Sequence, residues 1–287
     1  MRSLAPCLLA AVAVLALPTS ASAHRQWLLP SETNVSGVES WVTVDAAVSN
    51  DLFDADHVAM QTGGINVTQP DGSAGKIQNA ATGRYRSMFD VQLDKPGTWK
   101  IGTAATNVSG SFKLNGEDWT VGRRRGPPPG AAAGANSAPP RVVATAAEIP
   151  AGATDIKLTE SINRNEIFVT ADAPTATVLK PTGKGLEFDP QTHPSDLVAD
   201  EPATFRFLID SKPAAGLKVT LVPGGKRFRD AEHAQELTTG ADGTIEVKWP
   251  LPGFYWLNAS ATDNNASTPN ATQRRMSFTT TLEVPAP

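Results

Sequence analysis

The sequence predicts an all-β protein built from two Ig-like antiparallel β-sandwich domains. Apolar and polar residues alternate along many short segments, and Val42, Val44 and Ala46 are one such set. A period of two is typical of half-buried strands, whereas almost no segment carries the period of an amphipathic helix. Turn sequences rich in Pro, Gly and Asp separate the alternating segments, which favours antiparallel sandwiches. Further strands are predicted at residues 89–93, 205–209, 217–221 and 245–249.

The first 23 residues have the pattern of a secretory signal peptide. Arg2 supplies a positive charge, residues 4–17 form an apolar run, and the small residues at 21–23 form a cleavage motif. Cleavage after this motif would make His24 the first residue of the mature chain. We therefore expect an exported protein of the bacterial periplasm.

Composition excludes several classes of partner and site. The only cysteine, Cys7, lies in the predicted signal peptide, so the mature chain would have no disulfide and no thiolate metal site. No second apolar run approaches the roughly 20 residues that cross a bilayer, so we expect no membrane insertion of the mature chain. A net charge of −4 argues against a nucleic-acid partner. Because no nucleophile, phosphate-loop or zinc-protease motif is present, we do not expect an enzyme.

Two domains are expected after the signal peptide, at residues 24–185 and 195–287. Residues 126–140 are nearly all Gly, Pro, Ala and Ser, and we expect them to form a disordered loop within the first domain. The alternating segments at 156–159 and 167–170 follow this loop and lack a sandwich of their own. We expect them to pair with strands of the first domain.

Several stretches carry a family resemblance. They are His24-Arg25-Gln26-Trp27-Leu28-Leu29-Pro30, Pro202-Ala203-Thr204-Phe205-Arg206-Phe207, Lys212-Pro213-Ala214-Ala215-Gly216-Leu217-Lys218-Val219, Val222-Pro223-Gly224-Gly225, Thr238-Thr239-Gly240-Ala241-Asp242-Gly243 and Pro252-Gly253-Phe254-Tyr255-Trp256-Leu257. Together they resemble the DUF4198 family, whose members are related to substrate-specific components of nickel and cobalt uptake systems.

The resemblance implies a periplasmic protein with a C-terminal Ig-like module and an association with metal uptake. A membrane transporter or an outer-membrane receptor would be the partner of such a protein. The family supplies no ligand motif that can be carried over to individual residues here. Because this chain lacks the membrane helices of the transport subunits, a soluble accessory role is the expectation.

His24 is the first candidate metal ligand. At the start of a mature chain it would offer a free α-amine and an imidazole on one residue, and these two nitrogens can chelate one ion. Copper(II) and nickel(II) favour nitrogen-rich planar sites. The alternative is that signal peptidase leaves this residue first by chance.

His57 is the expected partner of His24, because both belong to the predicted first domain. It follows Asp51, Asp54 and Asp56 in one polar segment. A turn there would let the imidazole, Asp54 and Asp56 converge on an ion. The alternative is a polar loop in which the aspartates cap a turn.

The other two histidines are expected to lie outside the site. His193 precedes a proline in a segment typical of a connector, and His233 lies in a charged segment typical of an exposed loop.

The residues and the family resemblance together favour a periplasmic protein that binds a transition-metal ion or metal complex, with nickel, copper or cobalt as candidates, for uptake or homeostasis. No organic cofactor is expected. The alternative is an Ig-like binding or adhesion module without metal, since such sandwiches commonly serve as scaffolds. A third hypothesis is a copper-dependent oxidative enzyme that uses the amino-terminal histidine.

Overall fold

The computed structural model describes residues 24–37, 39–122 and 141–287. The predicted signal peptide at 1–23 and the predicted loop at 126–140 lie outside these ranges. Within them, the regular segments are strands and short 3-10 turns, and no helix in this part of the chain is long and apolar enough to cross a membrane. The predicted all-β class is confirmed.

The strands are numbered along the chain. They are β1 (Arg25–Pro30), β2 (Asn34–Val35), β3 (Ser40–Ser49), β4 (Val58–Ala59), β5 (Asn66–Thr68), β6 (Gln78–Thr82), β7 (Ser87–Leu93), β8 (Gly97–Leu114), β9 (Glu117–Val121), β10 (Val142–Val143), β11 (Thr154–Ala171), β12 (Leu186–Pro190), β13 (Ala203–Ile209), β14 (Lys212–Pro213), β15 (Lys218–Pro223), β16 (Gln235–Thr238), β17 (Thr244–Val247), β18 (Gly253–Asp263) and β19 (Ala271–Val284). The 3-10 turns are Thr62–Gly64, Ala146–Glu148, Thr177–Leu179, Pro194–Asp196 and Lys226–Phe228.

These strands form three sheets. The first sheet has the order β1-β3-β7-β6, with β4 also paired to β3. The central sheet has the order β10-β9-β8-β11-β19-β18-β15-β16, with β5 on β8 and β2 on β11. The third sheet contains β12, β13, β14 and β17. Strand β12 falls in the interval that the sequence leaves between the two predicted domains, and the position of the domain boundary stays a prediction.

Strand β11 joins the two halves of the central sheet. It has 18 residues, which span about 60 Å, and it pairs with β8 in antiparallel register from Thr154 to Ala171. The segments at 156–159 and 167–170 therefore do pair back with the first half of the chain. On its other edge, β11 pairs in parallel with β19. This parallel pair departs from the purely antiparallel arrangement that the sequence predicted. The chain forms the whole third sheet between β11 and β19, and this supplies the long connection that a parallel pair needs.

The two main cores lie on opposite faces of the central sheet. Along β11, Ile167 and Val169 belong to the core beneath the first sheet, whereas Phe168 belongs to the core beneath the third sheet. Successive side chains of a strand point to opposite faces, so one strand can serve both cores. The alternation that predicted strands in the sequence thus also distributes residues between two sandwiches.

A smaller cluster connects the first sheet to the second half of the chain. We call it the junction cluster, and its buried members are Trp27, Ala47, Leu52, Val222 and Trp256. Trp27 is 1% exposed, and the indole N–H of Trp256 donates to the backbone oxygen of Gln26 at 3.1 Å. Burying two tryptophans here fixes the start of β1 against β18.

Candidate metal site

The rings of His24 and His57 stack face to face at the end of β3. Their centroids are 3.7 Å apart, and their planes are 4° from parallel. The register of the first sheet explains why these two rings are in contact. Ala47 pairs with Trp27 on β1 and with Ala59 on β4, so these strands flank β3 on opposite edges. Strands β1 and β4 both run antiparallel to β3. His24, which precedes β1, and His57, which precedes β4, therefore both lie at the end of β3.

Asp56 fastens the His57 segment to the end of β3. Its carboxylate accepts the backbone N–H of Asn50 at 2.9 Å and the side-chain amide of Asn50 at 3.2 Å. Desolvation raises the pKa of Asp56, but the hydrogen bonds from Asn50 outweigh it and hold the pKa below its ordinary value. The Asp56 carboxylate therefore serves to close the loop that brings His57 back to His24.

Asp51 and Asp54 are paired with cations from the second half of the chain. Lys226 Nζ lies 2.6 Å from Asp51 Oδ1, and Arg227 Nε lies 3.3 Å from Asp54 Oδ2. The hydrogen bond to Asp51 raises the pKa of Lys226. The aspartates that the sequence groups around His57 thus already have protein partners. An ion that used Asp54 or Asp56 as a ligand would share the carboxylate with these partners.

Phe53 anchors the middle of this segment. Its ring makes edge contacts with Trp27 at 5.7 Å and with Phe254 at 6.4 Å between centroids. Its backbone has a φ of 64°, a left-handed conformation that is unusual for a bulky residue. The aromatic contacts offset this cost and anchor the turn that leads to His57.

Both histidines are exposed to solvent, and their geometry sets a condition on metal binding. The lone pairs of an imidazole lie in the plane of its ring, so two parallel stacked rings cannot direct them at one ion. A shared ion therefore requires the rings to turn out of their parallel arrangement, and the Cβ–Cγ torsion that turns each ring is soft. No group of three or more His, Cys, Asp or Glu in the described ranges is placed to hold a metal ion.

Both ring nitrogens of His193 have hydrogen-bond partners within the protein. Its Nδ1 lies 3.1 Å from the backbone nitrogen of Ser195, and its Nε2 lies 3.2 Å from Thr98 Oγ1 and 3.3 Å from the oxygen of Thr175. The ring caps the 3-10 turn Pro194–Asp196 and ties it to β8. His233 is exposed in the loop before β16, with a φ of 57°.

Sequence reasoning missed the basic residues that pair with Asp51 and Asp54. Lys226 and Arg227 follow a Gly-Gly turn, and the sequence offers no pattern that connects them with residues 51–54. The only available signal was complementary charge, since acidic side chains cluster at 51–56 and basic ones at 226–229. Such a signal does not specify a contact by itself.

A comparison with protein families identifies the chain. A family model described as a domain of unknown function, DUF4198, matches residues 21–263. The chain belongs to the DUF4198 family. The match includes both stacked histidines and the loop around Lys226, so the resemblance stated from the sequence is confirmed at the level of the family. No curated protein matches this DUF4198 protein.

Solved structures similar to this DUF4198 protein share little sequence with it. The D0-D1 domain of intimin is 11% identical, with 90% of this chain and 97% of that chain covered and a TM-score of 0.20. The human OSCAR ligand-binding domain is 10% identical, with 91% and 99% covered and a TM-score of 0.19. These values carry no argument about function.

Proposed function

We propose that this DUF4198 protein is exported to the periplasm and binds a transition-metal ion through His24 and His57, for uptake or homeostasis. The observation that carries the proposal is the contact between the two imidazole rings, whose centroids lie 3.7 Å apart. Of the four histidines in the sequence, the two that meet are the predicted amino-terminal residue and the partner predicted for it.

Cleavage after residue 23 would change the chemistry of His24. Its backbone nitrogen would become an amine with a free lone pair, and the amine and imidazole could then chelate an ion. An imidazole nitrogen of His57 would add a third nitrogen ligand. Nitrogen-rich sites of this kind favour copper(II) and nickel(II), with cobalt(II) weaker in the usual affinity order.

The surrounding charges support a nitrogen-only site. Asp51 and Asp54 are paired with Lys226 and Arg227, and Asp56 is bonded to Asn50. Hard cations such as calcium and magnesium need several oxygen ligands, and these carboxylates are already engaged. A borderline ion that prefers nitrogen has no such requirement. The ion would be cargo, passed to a membrane transporter or an outer-membrane receptor.

Titration of two chains with copper(II) and nickel(II) tests the proposal. One chain begins at His24, and the matched control is the same chain with its α-amine acetylated, which removes the amine as a ligand but keeps both imidazoles. We expect the first chain to bind more tightly, and mass spectrometry of the exported protein to give His24 as its first residue. Equal affinities, or a different first residue, would overturn the proposal.

A further inference from the structure

The loop between β15 and β16 contacts both segments that carry the stacked histidines. We call residues 224–234 the β15–β16 loop. Its Lys226 and Arg227 pair with Asp51 and Asp54 on the His57 side. Its Glu232 pairs with Arg25, the neighbour of His24, at 2.5 Å between Oε1 and Nη2.

Arg25 continues this connection to the end of β3. The same Nη2 atom donates to the backbone oxygen of Asn50 at 3.2 Å, and the guanidinium lies 5.7 Å from the ring centre of Trp256. The side chain of Arg25 is 17% exposed and that of Glu232 is 31% exposed, so this ion pair is partly shielded from water. It holds the start of β1 against the second sandwich.

Gly224 provides the closest packing in this contact. A Cβ atom at this position would lie 2.7 Å from Phe53 Cδ2 and 3.1 Å from the backbone oxygen of Phe254. Only a residue without a side chain lets the Phe53 ring lie directly on the loop backbone. Because Phe53 lies in the turn that leads to His57, its position determines where that turn runs.

We infer that the β15–β16 loop positions His24 and His57 for a shared metal ion, with Phe53 and Gly224 as positioning residues. This inference rests on the proposed function. The ligands come from the first sheet, but their placement depends on the second sandwich. Binding of the ion is therefore coupled to the contact between the two halves of the molecule.

Substitution of Gly224 by alanine tests this role without altering a ligand. The φ of Gly224 lies outside the left-handed region, so alanine strains the contacts with the Phe53 ring and the Phe254 backbone oxygen and not its own backbone. Gly63→Ala is the matched control, because a Cβ there meets nothing within 4 Å. Both variants are made in the chain that begins at His24 and titrated with copper(II). We expect Gly224→Ala to weaken binding by roughly 10- to 100-fold, as losses of supporting contacts at metal sites do, and Gly63→Ala to leave it unchanged.

The spectrum of bound copper(II) separates positioning from a general loss of stability. Electron paramagnetic resonance reports the number of nitrogen ligands, and we expect three in the unmodified chain. In Gly224→Ala we expect two, the amine and imidazole of His24, because His57 no longer reaches the ion. Three nitrogens and unchanged affinity in a folded Gly224→Ala protein would overturn the inference.

Glu232→Gln provides a second test that keeps the packing intact. It removes the ion pair with Arg25, and we expect a loss of affinity of about two- to fivefold, in keeping with a partly exposed pair. Unchanged affinity in this variant would also count against the inference. If the unmodified chain binds no more tightly than its acetylated form, the proposed function itself fails. If it does bind more tightly and Gly224→Ala behaves like Gly63→Ala, only the positioning role fails.

Discussion

The imidazole of His57 lies face to face with that of His24, although the two residues belong to segments on opposite edges of β3. Neither ring is buried, so general core packing does not explain the contact. The tether from Asp56 to Asn50 and the anchoring of Phe53 place His57 here. Two exposed histidines held together in this way are the feature from which the functional proposal begins.

Removal of the His57 imidazole should weaken copper(II) binding. We expect His57→Ala to lower affinity at least tenfold in the chain that begins at His24, because one of three nitrogen ligands is lost. His233→Ala is the matched control, since this exposed histidine lies outside the stacked pair. Isothermal titration of both variants measures the difference. Equal effects of the two substitutions would contradict the assignment of His57.

Metal binding should raise the thermal stability of the mature chain. A ligand that binds only the folded state at 100 times its Kd adds about 2.7 kcal/mol to the free energy of unfolding. Calorimetric melting with and without copper(II) or nickel(II) measures this shift. We expect the shift to shrink in the acetylated chain. An adhesion module without a metal site would give no shift in either chain.

Arg274 should make stability depend on acid pH. This buried guanidinium donates to both Asp210 and Asp263, with bonds of 2.7 and 2.6 Å from Nη2. The hydrogen bond from Arg274 is the main reason that the pKa of each carboxyl lies below its ordinary value. Such groups stabilise the fold above the unfolded pKa of about 3.9 and lose this effect as pH falls through the folded pKa.

We therefore expect Arg274→Met to lower the free energy of unfolding by about 2 kcal/mol at pH 7, since two partly exposed carboxylates lose their charged partner. The difference from the unmodified protein should shrink below about pH 4, where these carboxyls begin to protonate in the unfolded chain while Arg274 still holds them charged in the fold. Urea unfolding between pH 3 and 7 measures both effects. Arg275→Met, at the exposed neighbouring position, serves as the control. A difference that does not vary with pH would contradict this account.

Glu160 should be required in its charged form to hold the loop before β19. Its fully buried carboxylate accepts the backbone N–H and hydroxyl groups of Ser267 and Thr268. Desolvation raises the pKa of Glu160, but these four hydrogen bonds together lower the pKa by more than desolvation raises it. The pKa therefore lies below its ordinary value. In Glu160→Gln an amide would face donors, and we expect a loss of about 2 kcal/mol in guanidinium unfolding. Glu246→Gln, at an exposed position of β17, should have little effect.

Much of the fold could be predicted because the alternation of apolar and polar residues along a strand shows directly which side chains are buried. Residues such as Phe205 and Phe207 are predicted on one strand face and are fully buried in the structure. The parallel pairing of β11 with β19 could not be predicted, because the segments between Ala171 and Ala271 give no local sign of which edge β19 will join. Strand partners depend on the packing of whole sheets, which a local pattern does not encode.

The candidate site divides in the same way. His24 was identified from its place after a cleavage motif, and His57 from its polar neighbourhood. The sequence predicted that the two histidines are partners because both belong to the first predicted domain, but it did not predict that their rings stack. The roles of the aspartates could not be predicted, since their partners Lys226 and Arg227 come from a distant loop.

The sequence by itself determined that this chain forms β-sheets and which face of each strand is buried, because the period of side chains along a strand is a local property. It also predicts that His24 would carry an amine and an imidazole if the chain is cleaved after residue 23. Only the tertiary structure decided that His24 and His57 meet, and that Gly224 supports Phe53 beneath the turn between them. Such contacts arise where separate sheets pack together, and their geometry depends on every strand that precedes them in the fold.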